Sequence, residues 1–336
     1  MILDQLAKTA NEMVADDKGL LAADESNGTI GKRLDTIGVE NLEDHRRDYR
    51  ELLFRTQDLE NFISGTILYD ETIRQSAADG TSLVSIMQSA GIIPGIKVDT
   101  GAKSLPGSPD EKITEGLDGL PARVEEYVGL GARFAKWRAV ITIGDHIPSR
   151  YCIHTNAHAL ARYAKICQEG GLTPIVEPEV LMDGDHDIDR CEQVTTLTLN
   201  TVFDELYAQD VALEGMILKP NMVISGSDCG SQADVDEVAG RTVECLKRCV
   251  PAAVPGIMFL SGGQSEEDAT AHLNFMNAKF RPAPWKLSYS YGRALQQSCL
   301  KAWKGEAGNV DAAQEALIER AQANSAACAG TYNKAA

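Results

Sequence analysis

Lys219 stands in the run Gly215-Met-Ile-Leu-Lys-Pro-Asn221, near the end of a short apolar stretch. An ammonium leaves water reluctantly, so a lysine placed there needs a use or a partner. Burial lowers a lysine's pKa, and a neutral amine at pH 7 can attack a carbonyl. Snorkelling to the surface, or pairing with a carboxylate, would equally account for one such lysine. Other apolar runs carry charge in the same style. In Arg133-Phe-Ala-Lys-Trp-Arg-Ala-Val140, Lys136 and Arg138 alternate with apolar residues and so share a face of a strand. Glu177 and Glu179 do the same in Pro174-Ile-Val-Glu-Pro-Glu-Val180. Asp24 closes Gly19-Leu-Leu-Ala-Ala-Asp24, and Lys97 sits in Ile93-Pro-Gly-Ile-Lys-Val98. Each run alone reads as an edge strand or a structural ion pair. Together they require one place where the charges converge.

The spacing of the runs supplies that place. Strand-length apolar segments begin near Gly19, Ile63, Ile93, Arg133, Pro174, Gly215, Gly256 and Lys286. Helical patterning lies between them, over residues 41–60, 155–169, 189–209, 233–249 and 265–278. Asn156 is the expected N-cap of the second of these, and Gly170-Gly171 its stop. Strands alternating with helices over 336 residues predict an α/β fold, a (β/α)8 TIM barrel. The chain then forms a single domain, 1–336, with an N-terminal helix and a flexible C-terminal tail from about residue 305. In such barrels the chemistry sits at the C-terminal ends of the strands, where most of the charges above fall.

Two regions suit anions. Phe259-Leu-Ser-Gly-Gly-Gln-Ser265 reads as strand, glycine turn and helix start. Gly262 and Gly263 let backbone N–H groups approach a phosphate, and the helix N-terminus favours negative charge. An ordinary βα turn would look similar, but barrels often bind phosphate after their last two strands. The final segment, Ser288-Tyr-Ser-Tyr-Gly-Arg293, adds Gly292 and Arg293, whose planar fork can grip a phosphate. Near the first strand, Lys32, Arg33 and Arg46 suggest a second anion site across the barrel mouth, or simply solvated helix charges.

The net charge of −17 argues against nucleic acid as a partner, because phosphate backbones demand a basic face. No basic segment precedes an apolar one at the N-terminus, and the apolar run around 250–260 is broken by Pro251, Pro255 and Gly256. Neither a signal peptide nor a membrane span is expected. Eight cysteines without a CxxC pair fit a reducing compartment, with cytoplasm as the default location. His154 and His158 have the spacing of a helical zinc pair, but the metalloprotease glutamate and a nearby third ligand are missing. No metal or other cofactor is expected.

The motifs, taken together, resemble class I fructose-bisphosphate aldolase. They are Leu21-Ala-Ala-Asp-Glu-Ser26, Gly95-Ile-Lys-Val-Asp99, Ala135-Lys-Trp-Arg138, Ile175-Val-Glu-Pro-Glu179, Leu218-Lys-Pro-Asn-Met222, Leu260-Ser-Gly-Gly-Gln264 and Ser290-Tyr-Gly-Arg293. The resemblance implies a metal-independent barrel, usually a homotetramer, that cleaves fructose 1,6-bisphosphate into two triose phosphates. By motif, Lys219 resembles the Schiff-base lysine and Glu177 the general acid/base of carbinolamine formation and dehydration. Glu179 and Lys136 match assisting residues, and Asp24 matches the base at the C4 hydroxyl. Ser261, Gly262, Gly263, Ser290, Gly292 and Arg293 are similar to the site for one phosphate. Lys97, Arg33, Arg46, Arg138, Ser26 and Thr29 resemble positions for the other. The tail departs from the family pattern: many relatives end in a tyrosine that reaches the active site, whereas Tyr332 here is followed by four more residues.

The chemistry fits these residue types. Cleaving C3–C4 of a ketose leaves an electron pair that an iminium at C2 accepts, as a metal ion otherwise would. The amine must be neutral to attack, and a nearby second charge, expected to be Lys136, disfavours its ammonium. Glu177 is expected near neutrality, with Glu179 ionised. Another Schiff-base barrel aldolase, acting on a monophosphate or a keto acid, and a non-catalytic scaffold remain as alternatives.

Overall fold

The computed structural model describes residues 2–333. Eight parallel strands close into a barrel: β1 (Gly19–Ala23), β2 (Ile63–Leu68), β3 (Ile93–Lys97), β4 (Phe134–Ile141), β5 (Thr173–Val180), β6 (Ile217–Leu218), β7 (Gly256–Phe259) and β8 (Lys286–Tyr291). Each pairs with its sequence neighbours, and β8 closes on β1 through Leu20 opposite Ser290 and Leu21 opposite Tyr291. Helices cover the outer face, so the strands are sheltered on both sides and read as continuous apolar runs. β5, Thr-Pro-Ile-Val-Glu-Pro-Glu-Val, is buried along its whole length.

The inward side chains alternate along each strand. A lower layer of Leu20, Ile67, Ile93, Phe134, Ile175, Ile217 and Met258 packs with Ala10, Met13 and Val14 near the N-terminal helix Ile2–Met13, which plugs that end. Glycine makes room for the largest member: a Cβ on Gly95 would lie 2.1 Å from the Phe134 ring, and one on Gly65 would lie 3.1 Å from it.

Several boundaries differ from those expected. The helix anticipated at 155–169 begins at Arg150, because Ser149 caps it by accepting from the Cys152 N–H at 3.1 Å. Asn156 is therefore buried within the helix, donating to Lys112 O at 2.8 Å, and caps nothing. The 41–60 segment holds the helix Glu43–Phe54 and a single 3-10 turn, separated where Asp58 takes a left-handed φ of 63°. Gly215 lies in a 3-10 turn before β6, not in the strand. A hairpin, Ala102–Leu105 with Ser108–Thr114, follows β3.

The flexible tail expected from about residue 305 is instead largely helical, over Val310–Ala329. Ala313, Leu317, Ala321, Asn324, Ala327 and Cys328 form a buried stripe at helical spacing. Small alanines let that stripe lie close to the barrel's outer helices. Tyr332 packs against the core, with its N–H on Asn274 Oδ1 at 2.9 Å in the helix Glu266–Lys279. Residues 334–336, the end of the expected tail, lie outside the described residues.

Candidate active site

Two residues beyond the apolar layer, the same inward rows of several strands become charged. Lys136 follows Phe134 on β4, Glu177 follows Ile175 on β5, and Lys219 follows Ile217 at the end of β6. The Lys219 N–H continues the ladder to Val176 O at 2.8 Å, which fixes where its side chain starts. Lys136, Glu177 and Lys219 are all buried, at 5%, 3% and 3% exposure. Glu177 bridges the two lysines: Oε1 lies 3.1 Å from Lys219 Nζ and Oε2 lies 2.9 Å from Lys136 Nζ. Oε2 nevertheless accepts no aligned hydrogen bond. Lys136 also donates to Asp24 Oδ2 at 3.0 Å.

The result is a chain of alternating charge, Lys219–Glu177–Lys136–Asp24, in a dry setting where unpaired charge would be costly. Burial pushes the Asp24 carboxyl up, but Lys136, then Lys219 and Lys97, pull it down to about 2. Burial likewise favours neutral Glu177, and the positive charges of Lys136, Lys219 and Arg138 outweigh it, so its pKa falls below the usual carboxylate range. Glu177 is expected near neutrality, but the lysines on its two oxygens act in the opposite direction, holding its pKa below the ordinary carboxylate value. Burial works against the Lys136 ammonium, yet Asp24 and Glu177 raise its pKa. Glu179 takes Arg138 Nε as its partner.

These residues line a cavity of about 1100 Å³ at the C-terminal mouth of the barrel. At one edge, Gly262 and Gly263 hold φ of 53° and 98°, which strains any residue with a side chain. Arg293 Nη2 lies 3.4 Å from where a Cβ on Gly263 would stand, so the guanidinium hangs over this turn. Ser261 and Ser290 complete the edge, and the buried Ser290 hydroxyl has no hydrogen-bond partner among the described residues. Gly292 caps the helix Arg293–Trp303 without any side-chain bond, leaving the first N–H groups uncapped. Next to this edge, after the neighbouring β1, Ser26 precedes the helix Asn27–Asp35, also without a side-chain cap, and its hydroxyl lies 3.1 Å from that of Thr29. Lys97, paired with Asp99 at 2.7 Å, and Arg33 and Lys32 border this side. Two helix starts without side-chain caps, with cations beside them, offer two cradles suited to anions.

A family model for class-I fructose-bisphosphate aldolase, described as glycolytic, matches residues 5–336. The chain belongs to the class-I fructose-bisphosphate aldolase family. It is 59% identical over 333 residues to a probable class 1 fructose-bisphosphate aldolase of Xylella fastidiosa, covering 99% of both chains. A cytosolic aldolase of Arabidopsis thaliana is 56% identical over 315 residues, covering 94% of this chain and 80% of the other. A crystal structure of the Plasmodium falciparum aldolase, in complex with TRAP and a small-molecule inhibitor, superposes with a TM-score of 0.98 at 49% identity, covering 99% and 96%. This aldolase is thus a lyase of the Schiff-base class on a TIM barrel.

Of the residues assigned to catalysis or substrate binding from sequence, all but one line the aldolase mouth. Arg46 is the exception and does not line the cavity. Its fork is taken up bidentately by Glu71, at 2.8 and 2.6 Å, with Asn41 Oδ1 at 2.9 Å. Sequence reasoning missed Glu25, Asp99 and Gln296, which line the mouth, and Arg50 behind them. Glu25 follows the flagged Asp24, but strand alternation predicts the opposite side for it, so no pattern marked it, and it reaches the mouth because β1 ends at Ala23. His154 and His158 lie away from the mouth and share Glu205, at 3.5 and 3.0 Å. Among the described residues, no group of three or more His, Cys, Asp or Glu could hold a metal ion. No helix among them is long and apolar enough to cross a membrane.

Proposed function

We propose that the chain carries out reversible aldol cleavage of fructose 1,6-bisphosphate to dihydroxyacetone phosphate and glyceraldehyde 3-phosphate through an imine on Lys219. The observation that carries this reading is the shared carboxylate: Glu177 has Lys219 on one oxygen and Lys136 on the other. An ionised Glu177 beside Lys219 takes the amine's proton, and the freed amine attacks C2 of the ketose. One of the amine's protons passes to the C2 oxygen to give the carbinolamine, and Glu177 then gives its proton to that C2 hydroxyl, which leaves as water, giving the iminium. Asp24, held ionised, takes the C4 hydroxyl proton as the C3–C4 bond breaks and its electron pair passes to the iminium. Lys136 binds Asp24 and Glu177 at once, so both carboxylates keep their places as protons move. Glu179 holds Arg138 at the mouth, and the two anion cradles fix the phosphates so the reacting carbons stay in register.

Cytoplasmic location and a homotetramer belong to the same reading. Exposed Tyr151, Leu197 and Tyr207 on the helices Arg150–Glu169 and Ile188–Ala208 offer apolar surface for copies of the chain to cover. Incubation with dihydroxyacetone phosphate and borohydride, with a chelator present, tests the imine. Mass spectrometry is expected to find the reduced adduct on Lys219. An adduct elsewhere, or none, overturns the assignment.

A further inference from the structure

We propose that Glu25 is a positioning residue that aims Arg33 into the substrate cavity and clamps the end of β1 that carries Asp24; this rests on the aldolase reading above. Glu25 is buried at 8% exposure, directly after the proposed C4 base, and three helices converge on it. Arg33 Nη1, from the helix Asn27–Asp35, donates to Oε1. Arg50 Nη2, from the helix Glu43–Phe54, donates to Oε2 at 2.8 Å. Gln296 Nε2, from the helix Arg293–Trp303, donates to Oε1 at 3.0 Å.

The same donors also grip the backbone just before the base. Arg50 Nε binds Ala23 O at 3.0 Å, and Gln296 Nε2 binds Ala22 O at 2.7 Å. The end of β1 is therefore tied to two outer helices immediately before Asp24, whose own side chain faces Lys136.

The charges in this cluster do not cancel. One carboxylate meets two guanidiniums, leaving one positive charge in excess. Arg50 is sealed, with a side chain only 2% exposed, whereas the Arg33 side chain is 26% exposed and lines the cavity. Surplus charge in a low-dielectric wall is stabilised by an anion in front of it. With Nη1 spent on Glu25, Arg33 Nη2 lies 3.5 Å from where a Cβ on Gly292 would stand, beside the helix start that Arg293 opens. Arg33 thus reaches from β1 toward the β8 cradle. It meets a substrate phosphate there only while Glu25 holds the fork in that direction.

Steady-state kinetics with fructose 1,6-bisphosphate on wild type, Glu25→Gln, Arg33→Gln and the double variant test this. Glu25→Gln is expected to raise KM about tenfold, the worth of one charge-assisted contact, while kcat falls no more than about threefold. Because Glu25 acts through Arg33, the double variant should have the KM of Arg33→Gln alone. Multiplying KM effects, or an unchanged KM beside a lowered melting temperature, would overturn the proposal and leave Glu25 a structural residue. Should Glu25→Gln fail to fold, Gln296→Met spares both ion pairs: a two- to threefold rise in KM, from loosening one of the three donors on Glu25, supports the proposal, and an unchanged KM overturns it. An inactive wild type would overturn both the aldolase reading and this one, whereas an active wild type with an unmoved KM removes only this one.

Discussion

Moving two residues along each strand takes the barrel interior from Phe134 to Lys136, from Ile175 to Glu177, from Ile217 to Lys219 and from Ala22 to Asp24. Both layers are inward-facing and both are nearly free of solvent. The lower one is held by close apolar packing around Phe134 and is plugged by the N-terminal helix. The upper one is held by alternating charge and opens to a cavity. Removing an apolar group below costs transfer and cavity energy. Removing a charge above unbalances its neighbours, although a fully apolar layer there would fold as well or better. The upper layer therefore trades stability for reactivity, and the lower one stabilises the barrel that makes the trade possible.

Lys219→Met puts the largest strain on that contrast. Activity should fall by about 10⁴-fold or more, since the covalent route is lost, while thermal stability falls far less, because Lys136 still pairs Glu177. A stability loss matching the activity loss would show that both layers are structural. The reverse experiment is Phe134→Ala, expected to cost about 3–5 kcal/mol in urea unfolding with kcat and KM within about twofold of wild type. A large kinetic defect in folded Phe134→Ala would mean that the layers are not separable.

Asp24 sharpens the comparison through pH. Its folded pKa of about 2 lies below the unfolded value, so its pairing stabilises the native state at neutral pH, and that stability is lost as pH falls through about 4 to 2. Wild type should exceed Asp24→Asn by about 2 kcal/mol at pH 6, and the gap should close toward pH 2. A gap independent of pH would mean that the Asp24 charge contributes nothing to folding.

The barrel was legible because its period is written in the chain: apolar runs, helical stretches between them, and charges at the run ends. The same alternation that exposed Lys136, Glu177 and Lys219 concealed Glu25, whose partners come from helices distant in sequence. Arg46 shows the opposite error. Its composition suits a phosphate, but Glu71 already fills its fork. The tail misled for a third reason, since an alanine-rich stripe looks weak until a neighbouring helix lies close enough to need small side chains.

By itself the sequence determined which residues could react and that strand periodicity would bring them to one end of a barrel, because side-chain direction along a strand follows from local geometry. Only the tertiary structure decided which charges pair. It set Glu177 between two lysines, turned Arg46 away and drew Arg33, Arg50 and Gln296 onto Glu25. The physical reason is range: periodicity acts over a few residues, whereas the energy of a buried charge depends on whatever the fold places within a few ångströms of it.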